Sequence, residues 1–435
     1  MSNRIAIIGS GIAGMACAHF LHRKYDITVL EKNTYVGGHT NTAWVNENDK
    51  QVPVDTGFIV FNKEMYPNLV RLFDDLRVTY KPTDMSFSVQ HLPSGLEFSS
   101  QSFFAQKKNY FNPRFYQLLL EINKFYREAG ETLYNNQYAF TSIGNYVQEK
   151  RYSQAFVDQY LIPMGSALWS TPPDTTLQYP VRSMVDFFKN HGMLSTKGQF
   201  QWYTVENGSQ QYREKMIAPF RHCIQTGNRA IKVFPEKGRV TVLTTCGSLV
   251  FDKVIFACHA DEALESILEP TATERELLSP FHYQKNHVVL HTDDAVMPAK
   301  RSAWSAWNYR VQKVNGKLAA TTIYDMNKLQ QVSDDRNYFI SLNDPGIVAR
   351  DKVLKEIEYE HPIFTSETQM AQQRLQELNA NGTRFFCGSY FGFGFHEDAL
   401  RSAVQVCYYL LNGNPWEKSE DTVQNNQSLK NLVSI

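Results

Sequence analysis

The stretch "RIAIIGSGIAGMACAHFLHRKYDITVLE", Arg4 to Glu31, decides the fold. Arg4 to Ile8 is a short apolar run of the kind that a buried parallel strand shows. Gly9, Gly11 and Gly14 then spell G-x-G-x-x-G, and "IAGMACAHFLH" carries helical spacing. "DITVL" reads as a second strand ending at the acid Glu31. Each part of this spacing has a chemical reason. Gly9 permits a tight turn, Gly11 lets backbone approach a pyrophosphate, and Gly14 lets the helix pack close on the strand. The helix N-terminus attracts negative charge. Glu31, seventeen positions after Gly14, can accept hydrogen bonds from ribose hydroxyls and would repel a 2′-phosphate. Glycines alone would fit a turn with no ligand. Strand, glycines, helix, strand and terminal acid in register argue for a dinucleotide cradle.

Composition bounds the rest. At 435 residues the chain can form two domains with substantial cores. Basic and acidic residues balance at 44 each, which gives no electrostatic case for nucleic acid. Aromatic content is 13%, suited to an apolar cavity and equally to a large core. Cys17, Cys223, Cys246, Cys258, Cys387 and Cys407 are scattered, with no C-x-x-C pair and no metal-ligand spacing, so they read as buried thiols in a reducing compartment. The N-terminal apolar stretch is interrupted by glycines and followed at once by a second strand-like run, so it reads as mature structure rather than as a signal peptide. No apolar run approaches the roughly 20 residues of a spanning helix. The expectation is a cytoplasmic protein, soluble or at most peripheral on a membrane face.

After the acid, "EKNTYVGGHTNT" places Gly37 and Gly38, and "VDTGFIVFN" follows with Asp55, Thr56 and Gly57. This array resembles the flavin amine oxidase and phytoene desaturase superfamily, and the resemblance points to FAD rather than NAD. It implies a glycine pair passing close to the FAD phosphates and a D-x-G segment beside the flavin. It implies contacts from Gly9, Ser10, Gly11, Ile12, Ala13 and Gly14 in the cradle, and from Glu31 and Lys32 after the second strand. Gly38, His39 and Thr40, then Thr56, Gly57 and Phe58, are implied in the same way. At the far end, "TRFFCGSYFGFGFHEDALRSAVQVCYYLL" reads as a strand from Arg384 to Cys387, a glycine-rich loop, and an acid-led helix from about Glu397. There the resemblance implies that Gly388 and Ser389 approach the ribityl phosphate, and that the helix end at His396, Glu397 and Leu400 meets the flavin, favouring the negative charge of its reduced form. Between these, "RAIKVFPEKGRVTVLTTCGSLVFDKVIFACHADEAL" alternates like a strand meander followed by a buried strand. By resemblance it supplies the adenine-side edge at Ala230 and Ile231.

Further stretches, "LIPMGSALWSTPP", "FFKNHGML", "QWYTVENGSQQY", "HVVLHTDDAVMP", "SAWSAWNY" and "SYFGFGFHEDALRSA", are similar to a bacterial group of amine oxidase-like FAD proteins. That group is often encoded beside cyclopropane-fatty-acid-synthase-like methyltransferases. The similarity implies a methyltransferase partner in the same pathway and a substrate among methylated fatty acyl chains.

The fold class expected is α/β, a Rossmann-type FAD-binding domain with a mixed-sheet plus helical substrate domain. Residues 1–61, 201–275 and 379–415 are expected to form the first, and 62–200 and 276–378 the second, with 416–435 as a tail. In the second domain "FNPRFYQLLLEINKFYREAG" sets Phe115, Leu118, Leu119, Ile122 and Phe125 on one helical face. Lys107, Lys108 and Arg114 precede it, either as a membrane-leaning entrance or, the favoured reading, as a solvated turn before a core helix. Many superfamily members carry a lysine, water-linked to flavin N5, on a strand matching "NHVVLHTDD". That alignment puts Asn286 or His287 at the position, with Lys285 one step away. His287 and His396 are the candidate catalytic groups, each equally readable as a satisfied core histidine, and His39 is assigned to cofactor binding. Trp304, Trp307 and Tyr309 read as core aromatics. The activity expected is removal of hydride from a saturated carbon of an apolar substrate by a desaturase or dehydrogenase. The alternatives are a flavin amine oxidase and an FAD-stabilised partner-binding protein without catalysis.

Overall fold

Arg4–Ile8 forms the middle strand of a five-stranded parallel sheet. Across the sheet the order is Ile224–Gln225, Asp26–Leu30, Arg4–Ile8, Lys253–Phe256, Arg384–Phe386. Ile5, Ala6 and Ile7 are fully buried, as a strand covered on both faces must be. The register sets Ile8 beside Leu30 on one side and Phe256 on the other, and Phe256 beside Phe386. The helix Ile12–Leu21 packs against the helix His396–Leu411. Ala13, Gly14 and Cys17 on the first, and Ala399, Ala403 and Cys407 on the second, are all buried. A three-stranded meander, Ala230–Glu236, Arg239–Thr244 and Gly247–Phe251, completes this part. Its first turn is a two-residue loop with Lys237 and Gly238 at positive φ (50° and 77°), the geometry that matches strand twist.

In this computed structural model, which describes residues 3–169, 173–190, 194, 200–314, 316–380 and 382–417, the chain divides into two compact units. The first comprises 1–38, 214–279 and 374–435, the second 39–213 and 280–373. The second is built on a seven-stranded sheet in the order Val353–Ile363, His282–His291, Phe339–Leu342, Lys317–Asp325, Trp307–Val314, Phe87–His91, Leu96–Ser99. Only the pairing of Trp307–Val314 with Phe87–His91 is parallel among these, so the sheet is mixed. Helices including Pro67–Leu76, Pro113–Glu128 and Val181–Asn190 accompany it.

The division differs from the expected one: 39–61 and 201–213 belong to the second unit, while 276–279, 374–378 and the expected tail fall in the first. The reason is apolar. Val52 and Val54 of the hairpin Thr42–Glu47/Lys50–Asp55 share a core with Val288, Leu290, Tyr338 and Ile340, and each such side chain contributes about 1.5–3 kcal/mol on burial. Trp202–Val205 likewise pairs with Phe61–Asn62 and Tyr80–Thr83. Of the expected tail, Trp416 packs edge-on against Phe20 at 4.8 Å; residues 418–435 lie outside those described. "FFKNHGML" also falls partly outside, at 191–193.

Candidate functional site

The cradle forms where the central strand ends. Gly9 donates its N–H to Leu30 O (2.8 Å) at φ +100°, and a Cβ there would lie 2.7 Å from Ala257 O. A Cβ on Gly14 would lie 1.9 Å from Gly9 O, so the helix meets the turn too closely for any side chain. Gly11 is the opposite case: no atom lies within 4 Å of its missing Cβ. The helix begins at Gly11 with no side-chain cap and no acid in its first turn, which leaves the backbone N–H groups at its N-terminal end, with Ile12 and Ala13, without a capping side chain. Open space over Gly11 beside an uncapped helix N-terminus fits a pyrophosphate.

Glu31 is buried and holds the neighbouring backbone. One carboxylate oxygen accepts from Ser10 N–H (3.0 Å) and Ser10 Oγ (2.6 Å), the other from Asn33 N–H (2.8 Å). The second oxygen, with a single donor, retains acceptor capacity for a ribose hydroxyl. Lys32 pairs with Glu262. Gly37 donates its N–H to Ser10 O (3.1 Å), and the Gly38 Cβ position, at φ +58°, is 3.4 Å from Gly11 Cα. The glycine pair therefore runs directly over the cradle. In the meander, Ile231 sits at a register shift between Ala230 and Lys232 and is 43% exposed.

The closing segment is tied into the same unit. Gly388 N–H donates to Ser402 Oγ (2.9 Å), and Ser389–Phe391 forms a 3₁₀ turn. Asp398, buried in the first turn of its helix, accepts from Phe393 N–H (2.9 Å) and Phe395 N–H (3.1 Å). Gly392 is required there, since its Cβ would lie 2.1 Å from Asp398 Oδ1. Burial raises the Asp398 carboxyl pKa, partly countered by Arg401. Burial pushes the His396 imidazole down to about 3, so it is neutral at physiological pH. Glu397 and Leu400 are buried.

The second unit carries the remaining candidates. His39 O accepts from Asn41 N–H (3.0 Å) and Phe58 N–H (2.8 Å), and a Cβ on Gly57 would lie 2.3 Å from it. Thr40 Oγ1 bonds the Tyr212 hydroxyl, against which Phe58 packs edge-on. Asp55 is a fastening point rather than an exposed group. It accepts from Thr42 Oγ1 (2.6 Å), Ser209 N–H (2.8 Å), Ser209 Oγ (2.8 Å) and Gln330 Nε2 (2.7 Å). Burial raises its pKa to about 6 against the pull of these four donors.

A polar cluster that the sequence did not single out surrounds Asn286. The His39 ring stacks on Tyr359 (centroids 4.6 Å) and lies 4.9 Å from His361. The Tyr359 hydroxyl bonds Thr56 Oγ1 and Asn41 Nδ2, each at 2.9 Å. Asn286, fully buried, accepts at Oδ1 from Asn343 Nδ2 (2.7 Å) and Gln284 Nε2 (3.2 Å) and donates from Nδ2 to His361 Nδ1 (2.8 Å). With Oδ1 taking two donors, Nδ2 must face the imidazole, and a neutral His361 then carries its proton on Nε2.

His287 is corrected by this geometry. It is exposed and lies 4.0 Å from Glu356, while Lys285, on the same outer face, pairs with Glu358 at 2.9 Å. Strand alternation turns Asn286 inward and its two neighbours outward. Trp304, Trp307 and Tyr309 pack in apolar clusters. The expected Leu119 is only half-buried, while Phe115, Leu118, Ile122 and Phe125 are buried.

The first unit is thus that of a Rossmann-type dinucleotide-binding protein, and residues 7–76 match the NAD(P)-binding Rossmann-like domain family. Along most of its length the chain shares its fold with several solved structures. It is similar to the CLA-producing fatty acid isomerase from P. acnes (16% identity, 94% of this chain and 98% of that one, TM-score 0.65). It is similar also to putrescine oxidase (13%, 95% and 99%, 0.67) and to cyclohexylamine oxidase from Brevibacterium oxydans (13%, 94% and 100%, 0.67). Among curated protein sequences nothing matches. The Rossmann match supports a dinucleotide site in the first unit, and these neighbours show the shared fold.

Proposed function

We propose that the chain is an FAD-dependent desaturase or dehydrogenase acting on an apolar substrate, a methylated fatty acyl chain being the class that fits best. The observation that carries the cofactor is the open space over Gly11 between an uncapped helix N-terminus and the buried Glu31. When bound, FAD supplies a two-electron hydride acceptor at N5. Gly11, Ile12 and Ala13 would hold the pyrophosphate and Glu31 the ribose. Removing a hydride from one carbon and a proton from its neighbour leaves a double bond, and a base must take the proton. His361 Nδ1 is already engaged by Asn286, so the ring, protonated at Nε2, can donate a hydrogen bond but is not that base, and the proton passes to solvent water. The inward position on His282–His291 holds an amide, while Lys285 points outward; this favours carbon oxidation over the lysine-assisted amine chemistry that the resemblance would otherwise imply. A redox partner such as oxygen or a quinone must take the electrons to complete turnover.

Anaerobic mixing of the yellow holoprotein with phospholipids bearing methylated acyl chains, and separately with primary and secondary amines, tests this. Bleaching by the lipids alone is the expected result. Bleaching by amines alone would make it an amine oxidase, and bleaching by neither would favour a non-catalytic flavoprotein. A colourless protein that takes up no FAD on reconstitution would overturn the cofactor assignment itself.

A further inference from the structure

On the second unit, the turn before Pro113–Glu128 and the outer face of that helix present side chains that water-facing surfaces seldom cluster. Phe111 is 91% exposed, Leu120 69%, Tyr110 53% and Tyr116 43%. The helix is apolar on two sides. Phe115, Leu118, Ile122 and Phe125 fill the core stripe, and Tyr116 and Leu120, four apart, form a second stripe that points away from it.

This outer patch is held in place. Tyr116 Oη donates to Tyr110 O (3.1 Å), and Phe104 stacks flat on Tyr110 at 4.3 Å. Asn109 is fully buried with its N–H on Gln106 O (2.9 Å), and Asn112 caps the helix by accepting from Arg114 N–H (3.1 Å). Phe111 therefore projects from an ordered turn.

The charge carried by this span of the sequence is of one sign. Lys107, Lys108 and Arg114 are exposed, and the sequence holds no Asp or Glu from Phe98 to Leu120. The acids that bracket this span are engaged elsewhere: Glu97 accepts from Gln90 Nε2 (2.8 Å), Glu121 from Ser153 Oγ (2.6 Å). Lys108 Nζ donates to Gly95 O (2.8 Å), closing the patch against a turn whose Leu92 is 42% exposed. In a chain with no net charge, this is a local excess of three cations around an apolar tip.

We propose that this face docks on an anionic lipid membrane, with Phe111 and Leu120 entering the acyl boundary and Lys107, Lys108 and Arg114 meeting lipid phosphates. Projecting apolar side chains ringed by cations, with tyrosine hydroxyls at the intermediate level, match the layers of a bilayer interface. The proposal needs no turnover and stands whether or not the substrate is a lipid.

The test is co-sedimentation of the holoprotein with vesicles of phosphatidylcholine alone or mixed with phosphatidylglycerol. The protein should pellet with the anionic vesicles, leave them at high salt, and remain in solution with neutral ones. K107Q and K108Q should each weaken binding about fivefold, and F111S combined with L120S at least about tenfold, with unfolding midpoints unchanged because these side chains are exposed. Wild-type protein remaining in solution with both vesicles would overturn the proposal, as would equal binding by F111S/L120S. Sedimentation velocity showing a self-association abolished by F111S, with no vesicle binding, would assign the face to a second copy of the chain instead.

Discussion

Gly11 and Gly14 stand three residues apart and answer to different constraints. Gly11 has φ −64° and ψ −177°, open to any residue, and clear space where its Cβ would be. Gly14 has Gly9 O at 1.9 Å from that point. Gly11→Val should therefore fold with an unchanged apoprotein melting temperature and purify without yellow colour. Gly14→Ala should instead cost about 3 kcal/mol or more of stability, because the helix must lift off its strand. A yellow Gly11→Val protein would remove the pyrophosphate from the cradle. His396 gives a pH prediction. Its pKa falls from 6.5 unfolded to about 3 folded by burial, so the unfolded chain binds the extra proton first. The stability it contributes is present above pH 6.5 and is lost as pH falls toward 3. Urea unfolding between pH 6.5 and 5 should show about 1–2 kcal/mol of loss in wild type that His396→Gln lacks. Asp55, with its pKa raised to about 6, acts in the opposite sense over part of that range, so the comparison with the variant, not the wild-type slope, isolates the histidine.

At the scale of elements, the hairpin Thr42–Glu47/Lys50–Asp55 is fastened to the turn before Gln210–Ile217 and to the helix Met326–Gln330 through Asp55. Asp55→Ala would orphan four buried donors and should cost about 3 kcal/mol or more, read as a lower urea midpoint without loss of the Rossmann sheet. Asp55 itself was visible in the sequence as part of D-x-G, but its partners Ser209 and Gln330 stand 154 and 275 positions away, and no spacing rule links them. The cradle was legible because a continuous apolar strand, a glycine turn, a helix and an acid lie in order within thirty residues. The strand His282–His291 shows where such reading fails. One step of register decides whether Asn286 or His287 faces inward, and "NHVV" contains nothing that marks the step. The helix Pro113–Glu128 disclosed its buried stripe by periodicity, while the exposure of Phe111, in a turn, had no sequence marker.

At the scale of the molecule, the sequence indicated a discontinuous nucleotide domain, and the sheet is indeed assembled from the three separated segments of the first unit. The exact partition was not legible, because the glycine pair ahead of 38/39 reads as part of the cradle and the change at 213/214 falls inside a polar helical stretch; apolar partners of Val52 and Val54 decide it. Among the described residues no helix is long and apolar enough to cross a membrane. The flavin-bleaching and vesicle experiments ask separate questions of the same preparation. A protein bleached by lipid in detergent yet indifferent to vesicles would keep the proposed chemistry and lose the proposed surface.

The register of the parallel sheet also bears on biosynthesis. Ile5 pairs with Ile27 and with Lys253, and Val254 with Arg384, so the first strand to leave the ribosome finds one neighbour at once but waits for its other until Lys253–Phe256 is made. Until then its apolar edge is exposed on a nascent polypeptide, a state prone to wrong pairings. Translation halted before Arg384 should yield a product that chaperones retain, since Lys253–Phe256 would be left as an uncovered apolar edge.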